Sequence, residues 1–132
     1  MPNGISASNY SENLILKFML TTQSATRPTS WYVGFFSDSQ AAPIDQPSIE
    51  LTGSGYTRQS VLFTTPTNGS CSNSNLITFT ATGTWTPANY VGIFDSESNG
   101  NLLFWGELQN SIGLDIDGQI QFAANTITIS MD

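Results

Sequence analysis

From Asn9 onward the apolar positions recur at helical spacing. Tyr10, Leu14 and Phe18 follow one another at i, i+4, and Ile15 and Met19 lie beside them, so the stripe is continuous. Asn9 followed by Glu12 has the outline of a capping box, and the pattern predicts a helix over residues 9–21 that fades before Pro28. The period then changes. Trp31-Tyr-Val-Gly-Phe-Phe36 is an unbroken aromatic and β-branched run, which predicts a strand buried on both faces. Further strands are expected at Tyr56–Phe63, Leu76–Thr80, Tyr90–Phe94 and Leu102–Trp105, with Asp95–Asn101 as a hairpin-like connection. Leu114 and Ile116, then Ile120 and Phe122, alternate with polar residues around Asp117-Gly118, the strongest local hairpin signal in the chain. Thr126–Met131 alternates strictly and puts Ile127, Ile129 and Met131 on one face.

Between these segments the residues are turn and loop formers. Ser37–Ser48, with Pro43 and Pro47, and Pro66–Ser74 read as polar loops, and Gly53-Ser-Gly55 as a turn. Gly92 and Gly106 fall inside strands and predict a bulge or a close approach of another backbone. About seven strands after one helix, with no crossover helices, predict an all-β fold. The expectation is a single antiparallel β-sandwich domain over residues 1–132, jelly-roll-like, with one short N-terminal helix.

Composition strengthens the β reading and removes several functions. Only 10 % of residues are charged, against roughly 25 % in an average soluble domain. Ser, Thr, Asn and Gln together number 51, and such side chains suit solvated strands and turns. The net charge is −7, with Lys17, Arg27 and Arg58 as the only cations. Three scattered cations make no phosphate-binding footprint, so no nucleic-acid partner is expected, and an anionic membrane surface is disfavoured for the same reason. No apolar run approaches the ~20 residues of a membrane helix. Met-Pro-Asn-Gly-Ile-Ser at the start has neither a basic leader nor an apolar core, which points to synthesis in the cytoplasm without secretion.

Candidate chemistry is sparse. Histidine is absent, which removes the commonest general base, the usual nucleophile pairs and most transition-metal sites. A carboxylate pair drawn from Glu50, Asp95, Glu97 and Glu107 is the surviving catalytic arrangement. Each of the four reads better as a turn or surface residue, so no enzyme and no cofactor are expected. Asp115-Ile-Asp117-Gly118 lacks the third ligand and the bidentate Glu of a calcium loop, so no metal site is expected either. Cys71, the single cysteine, lies in the Pro66–Ser74 stretch and reads as an incidental small residue rather than a reactive thiol.

Two surfaces remain as candidates. Leu14, Ile15, Phe18 and Met19 form a candidate subunit interface; the alternative is that this stripe caps the open end of the β core. Trp31, Tyr32, Trp85, Tyr90 and Trp105 are candidates for a sugar-stacking surface, but Trp31, Tyr32, Tyr90 and Trp105 lie in or beside strands and read better as packing residues. Trp85, next to Thr86-Pro87, is the candidate for an exposed recognition residue. Arg58 either pairs with Glu50 across the Gly53–Gly55 turn or is solvated on a strand face.

Several of these segments, in order, resemble a family of small phage structural proteins of the Gp80-like or tail-fibre kind. They are Trp31–Phe36; Glu50-Leu-Thr-Gly-Ser-Gly-Tyr-Thr-Arg58; Ile77-Thr-Phe79 with Trp85; Val91-Gly-Ile-Phe-Asp95 followed by Gly100-Asn-Leu-Leu103 and Gly106; and Phe122-Ala-Ala with Ile127-Thr-Ile129. The leading helix has its counterpart too. The family usually carries Gly-Asp in the last hairpin and Gly after Phe-Ala-Ala, where this chain has Asp117-Gly118 and Asn125. Both substitutes tolerate a turn backbone. The resemblance implies a virion structural protein and brings no active site with it. The first reading is a head decoration or cement protein, a homotrimer on the capsid exterior bound to the major capsid protein. The alternative is a tail or fibre component that touches the host surface, possible glycans included, and binds tail proteins.

Overall fold

Ser8, not Asn9, starts the helix. In the computed structural model its side chain accepts from the Ser11 N–H and its own backbone is extended, while Asn9 already has helical geometry and donates its amide to Asp45. Both residues are good caps, and burial decides between them, because the Ser8 hydroxyl also donates to the Leu102 carbonyl. The structure describes residues 5–40 and 44–131; the first four residues of the opening hexapeptide, Pro43 of the 37–48 loop, and Asp132 lie outside it.

The helix α1 (Asn9–Leu20) follows a short strand β1 (Ser6–Ala7). Eight further strands come after it: β2 (Tyr32–Phe36), β3 (Gln59–Ser60), β4 (Ser70–Ser72), β5 (Ile77–Thr80), β6 (Ala88–Phe94), β7 (Leu102–Ile112), β8 (Gln119–Phe122) and β9 (Thr128–Ser130). Every pairing is antiparallel. One sheet has the order β1-β7-β6-β2-β3, and β4-β9 and β5-β8 form two smaller ladders. Val33, Phe35, Val91, Ile93 and Leu108 of the large sheet share one core with Ile77, Phe79, Ile120, Phe122 and Ile129 of the small ladders and with Ile127 just before β9. The expected antiparallel layers with a single short helix are therefore present. Among the described residues no helix is long and apolar enough to cross a membrane.

The aromatic run at 31–36 is buried on both faces, as its lack of alternation predicts. Val33 and Phe35 face the core, while Phe36 joins Tyr90 and Phe94 in a second cluster on the other side of the sheet. Gly34 and Gly92 are paired directly across β2 and β6. A Cβ at Gly34 would run into the Tyr56 hydroxyl and the Phe94 ring, and one at Gly92 into the Phe36 ring and Leu102, so these glycines make room for side chains rather than for another backbone. Register shifts between β6 and β7 fall at Ala88/Tyr90 and Ile93/Phe94.

Four expectations need correction. The 56–63 segment is extended but pairs regularly only at β3, because the Tyr56 N–H is turned back onto the Gly53 carbonyl and the Leu62 N–H goes to the Asn75 side chain. Cys71 lies in a strand, β4, paired with Ile129 of β9, rather than in a loop. Ser-Cys-Ser carries no local strand signal, and the pairing comes from 58 residues away along the chain, Cys71 to Ile129. Asp117-Gly118 makes a tight turn with Asp117 at φ 66°, yet the residues flanking it do not pair with each other. Leu114 accepts from the Trp85 N–H, and β8 pairs with β5, so the turn carries the chain from one ladder to another. The final alternation holds for Ile127 and Ile129, but Met131 is exposed beyond the end of β9.

Candidate functional site

α1 is attached to the body through its first turn. The Ser8 N–H bonds the Leu103 carbonyl, and Ser11 is the helix residue that is fully buried. Further along, Leu16, Phe18, Met19 and Leu20 are 54, 70, 67 and 76 % exposed, while Leu14 and Ile15 are half-buried. Leu14, Ile15, Phe18 and Met19 do come together: with Ala25 and Arg27 they line one shallow apolar hollow. The stripe does not close the β core, since its later residues meet solvent.

Beside this hollow, and sharing Arg27 with it, an open groove of about 490 Å³ enters between the large sheet and the β4-β9 ladder. Trp31, Phe63, Ile93, Leu103, Phe104 and Ile129 form its walls and floor. Leu62 and Met131 at its rim are more than half exposed. The Cys71 thiol also lines it, and burial pushes its pKa up, away from thiolate reactivity. The groove was not legible locally, because its residues come from five separate stretches of chain.

Trp85 is not a surface residue. It is 2 % exposed, its ring sits edge-on to Tyr56 and Phe79 and lies against Gly53, and its indole N–H donates to the Ser54 carbonyl. Gly53, 32 positions away in the chain, leaves the space in which that ring lies. The recognition role expected of Trp85 is therefore excluded by its packing.

Glu50 and Arg58 are paired. The guanidinium donates from Nε to Oε2 at 2.8 Å and from Nη2 to Oε1 at 2.9 Å, a bidentate contact. Its Nη1 donates to the Ser96 and Asn99 carbonyls, both at 2.8 Å, and its plane lies 3.6 Å from the Phe94 ring centre. The Tyr56 hydroxyl donates to Glu50 and accepts from the Phe35 N–H. Burial alone would raise the Glu50 carboxyl, but hydrogen bonds from Arg58 and Tyr56 and the Arg58 charge outweigh it and hold the pKa below the ordinary value. For Tyr56, burial and the neighbouring Glu50 push the hydroxyl well above its ordinary range.

The other carboxylates of the sequence reading are dispersed. Asp95 accepts from the backbone and side-chain nitrogens of Asn101 and so closes the 95–101 loop. Glu107 lies beside Tyr90, whose hydroxyl pKa is raised by burial and by the charges of Glu107 and Asp38. Glu97 lines an open hollow with Glu50, but both Glu50 oxygens are already engaged. Asp115 accepts from the Thr84 hydroxyl. Among the described residues no three His, Cys, Asp or Glu side chains gather in a metal-binding group.

Residues 6–130 match the family model of the podophage GP4 fiber I protein gp80. No curated protein matches the chain. With nearly its whole length covered, the chain belongs to that family, which makes it a phage structural protein of the fibre type and a component of the virion.

Proposed function

We propose that this family member is a non-catalytic subunit of a tail fibre, held to its neighbours in the virion by the apolar face of α1. The observation that carries this reading is the group of large apolar side chains left bare on α1, Leu16, Phe18, Met19 and Leu20. Exposed apolar area of that size marks a contact surface far more often than a free one. The absence of catalysis is supported by the side chains themselves. There is no histidine, and Glu50 and Asp95 serve as hydrogen-bond acceptors inside the fold.

Tail placement is preferred to head decoration because the family description is that of a fibre protein, and no feature of the fold favours the capsid shell. With Trp85 in the core, the aromatic that the sequence reading singled out for host contact is lost. Immunogold labelling of intact particles tests the placement. Gold confined to the tail supports the fibre subunit; gold spread over the head overturns it and makes the major capsid protein the partner of α1.

A further inference from the structure

Asn-Gly occurs at 3–4, 68–69 and 99–100, and the first of these pairs lies outside the described residues. In such a pair the glycine puts no side chain between its own nitrogen and the asparagine side chain, and it leaves the backbone free to turn. The two described pairs start from the same backbone. Asn68 and Gly69 have φ of 54° and 77°, and Asn99 and Gly100 have φ of 56° and 69°. Positive φ at both positions is the type I′ turn, and all four residues are exposed. In that conformation the glycine nitrogen points away from the asparagine Cβ. Turning the central peptide over converts type I′ to type II′ and brings the asparagine to a ψ of about −120°. There the nitrogen eclipses the Cα–Cβ bond and comes within reach of Cγ. What separates the two pairs is the grip on that central peptide. The Asn99 carbonyl accepts from Arg58 Nη1 at 2.8 Å, and Arg58 is itself fixed by Glu50. Among the described residues, neither the Asn68 carbonyl nor the Gly69 N–H has a hydrogen-bond partner. The bonds that hold the turn, Thr67 with Ser70 and the Gly69 carbonyl with the Met131 N–H, lie on either side of the peptide that must flip.

We propose that Asn68 is a site of spontaneous covalent modification and that Arg58 spares Asn99 from the same reaction. Solvent base takes the Gly69 N–H proton, and the nitrogen attacks Asn68 Cγ. The new N–C bond forms, the Cγ–Nδ2 bond breaks, and ammonia leaves with a proton drawn from solvent, which gives a succinimide. Water then opens the ring at either carbonyl. One opening gives aspartate; the other gives isoaspartate, whose main chain runs through the former side chain. Water and its hydroxide are the only reactants, so no catalytic group of the protein is required. Either product adds a carboxylate to a chain that already carries −7. Isoaspartate also lengthens the main chain by a methylene just before Gly69, whose carbonyl holds the end of β9 through Met131. The reaction therefore loosens the open end of the β4-β9 ladder, at the rim of the apolar groove that Gly69 and Met131 line. It is independent of where in the virion the protein sits.

Ageing the full-length folded protein in mildly alkaline and in mildly acidic buffer tests this, with the same chain in urea as the reference in which neither pair is held. Pepsin digestion keeps the samples acidic and separates Asn68 from Asn99, because Leu76, Phe79 and Tyr90 lie between them. Mass spectrometry reads each peptide for the exchange of an amide for an acid. Isoaspartyl methyltransferase with a labelled methyl donor reads the isoaspartate. In the folded protein the Asn68 peptide is expected to convert about tenfold or more faster than the Asn99 peptide, the rate ratio that one charge-assisted hydrogen bond supplies. Conversion is expected to be faster in the alkaline buffer, since the attacking nitrogen must lose its proton. In urea the two peptides are expected to convert alike. An Asn68 peptide that stays unchanged in the folded protein while it converts in urea overturns the proposal. So does a ratio between the two peptides that is the same folded as in urea, because the Arg58 grip then makes no difference to which asparagine reacts.

Discussion

At Arg58 a cation sits almost out of water, with a carboxylate and two carbonyls around it. Replacing Glu50 by Gln leaves that charge uncompensated. We expect a loss of about 2 kcal/mol in urea unfolding, less than the 3–5 kcal/mol of a fully buried pair, because the Glu50 side chain keeps 33 % of its surface in water. The folded carboxyl has a lowered pKa, so the unfolded chain takes up the proton first. The stabilisation is complete above the ordinary value of 4.5 and is lost as pH falls through the folded value. The acid limb of the stability profile should therefore flatten in Glu50→Gln. Tyr56 and Tyr90 act with the opposite sense: their raised pKa values give stability that is full below pH 10 and is lost as the pH rises further. Asn73 is a second residue on which the fold turns. It is fully buried, donates to the Asn75 and Ala123 carbonyls, and accepts from the Thr126 and Ile127 N–H groups. Asn73→Ala strands those groups, and a loss of at least about 3 kcal/mol is expected, since each unmet buried group costs roughly 1–3 kcal/mol.

At the scale of elements, exposure separates residues that hold the fold from those left for a partner. Trp85→Ala empties a core position and should cost about 3–5 kcal/mol, whereas Phe18→Ser should stay within about 0.5 kcal/mol of wild type. Thermal melts of the two isolated variants, at concentrations where the chain is monomeric, check the contrast. What was legible in the sequence follows the same division. The run at 31–36 and the alternations at 77–80 and 119–122 were readable because burial on two faces or on one leaves a direct mark on residue order. The stripe of α1 was readable too, since helical spacing is equally local. The strand at 70–72 was hidden because its side chains are polar and its partner stands at the far end of the chain. The partner of 119–122 was misread because Asp-Gly marks a turn but says nothing of which strands it joins. Trp85 was misplaced because the surface that buries it, Gly53 and Ser54, is remote in sequence.

For the molecule as a whole, charge and topology set the terms of assembly. Copies carrying −7 should associate more tightly as salt rises from low to physiological concentration, because the Debye length falls to about 8 Å at 0.15 M and screens their mutual repulsion. Sedimentation at two ionic strengths measures this, and association weakened by salt would point instead to a contact built on opposite charges. The β4-β9 and β5-β8 ladders join segments far apart in the chain, and folding should accordingly take milliseconds to seconds rather than microseconds. The Arg58 clamp has a further consequence for how such a protein changes over generations. It grips the 95–101 loop by the main-chain oxygens of Ser96 and Asn99, and every amino acid supplies that oxygen. Asn99 is constrained by its φ of 56°, but Glu97 and Ser98 are exposed and neither lends the clamp an atom. A library randomised at 97 and 98 should melt within a degree or two of the parent, because the loop keeps its shape whatever letters occupy those two places.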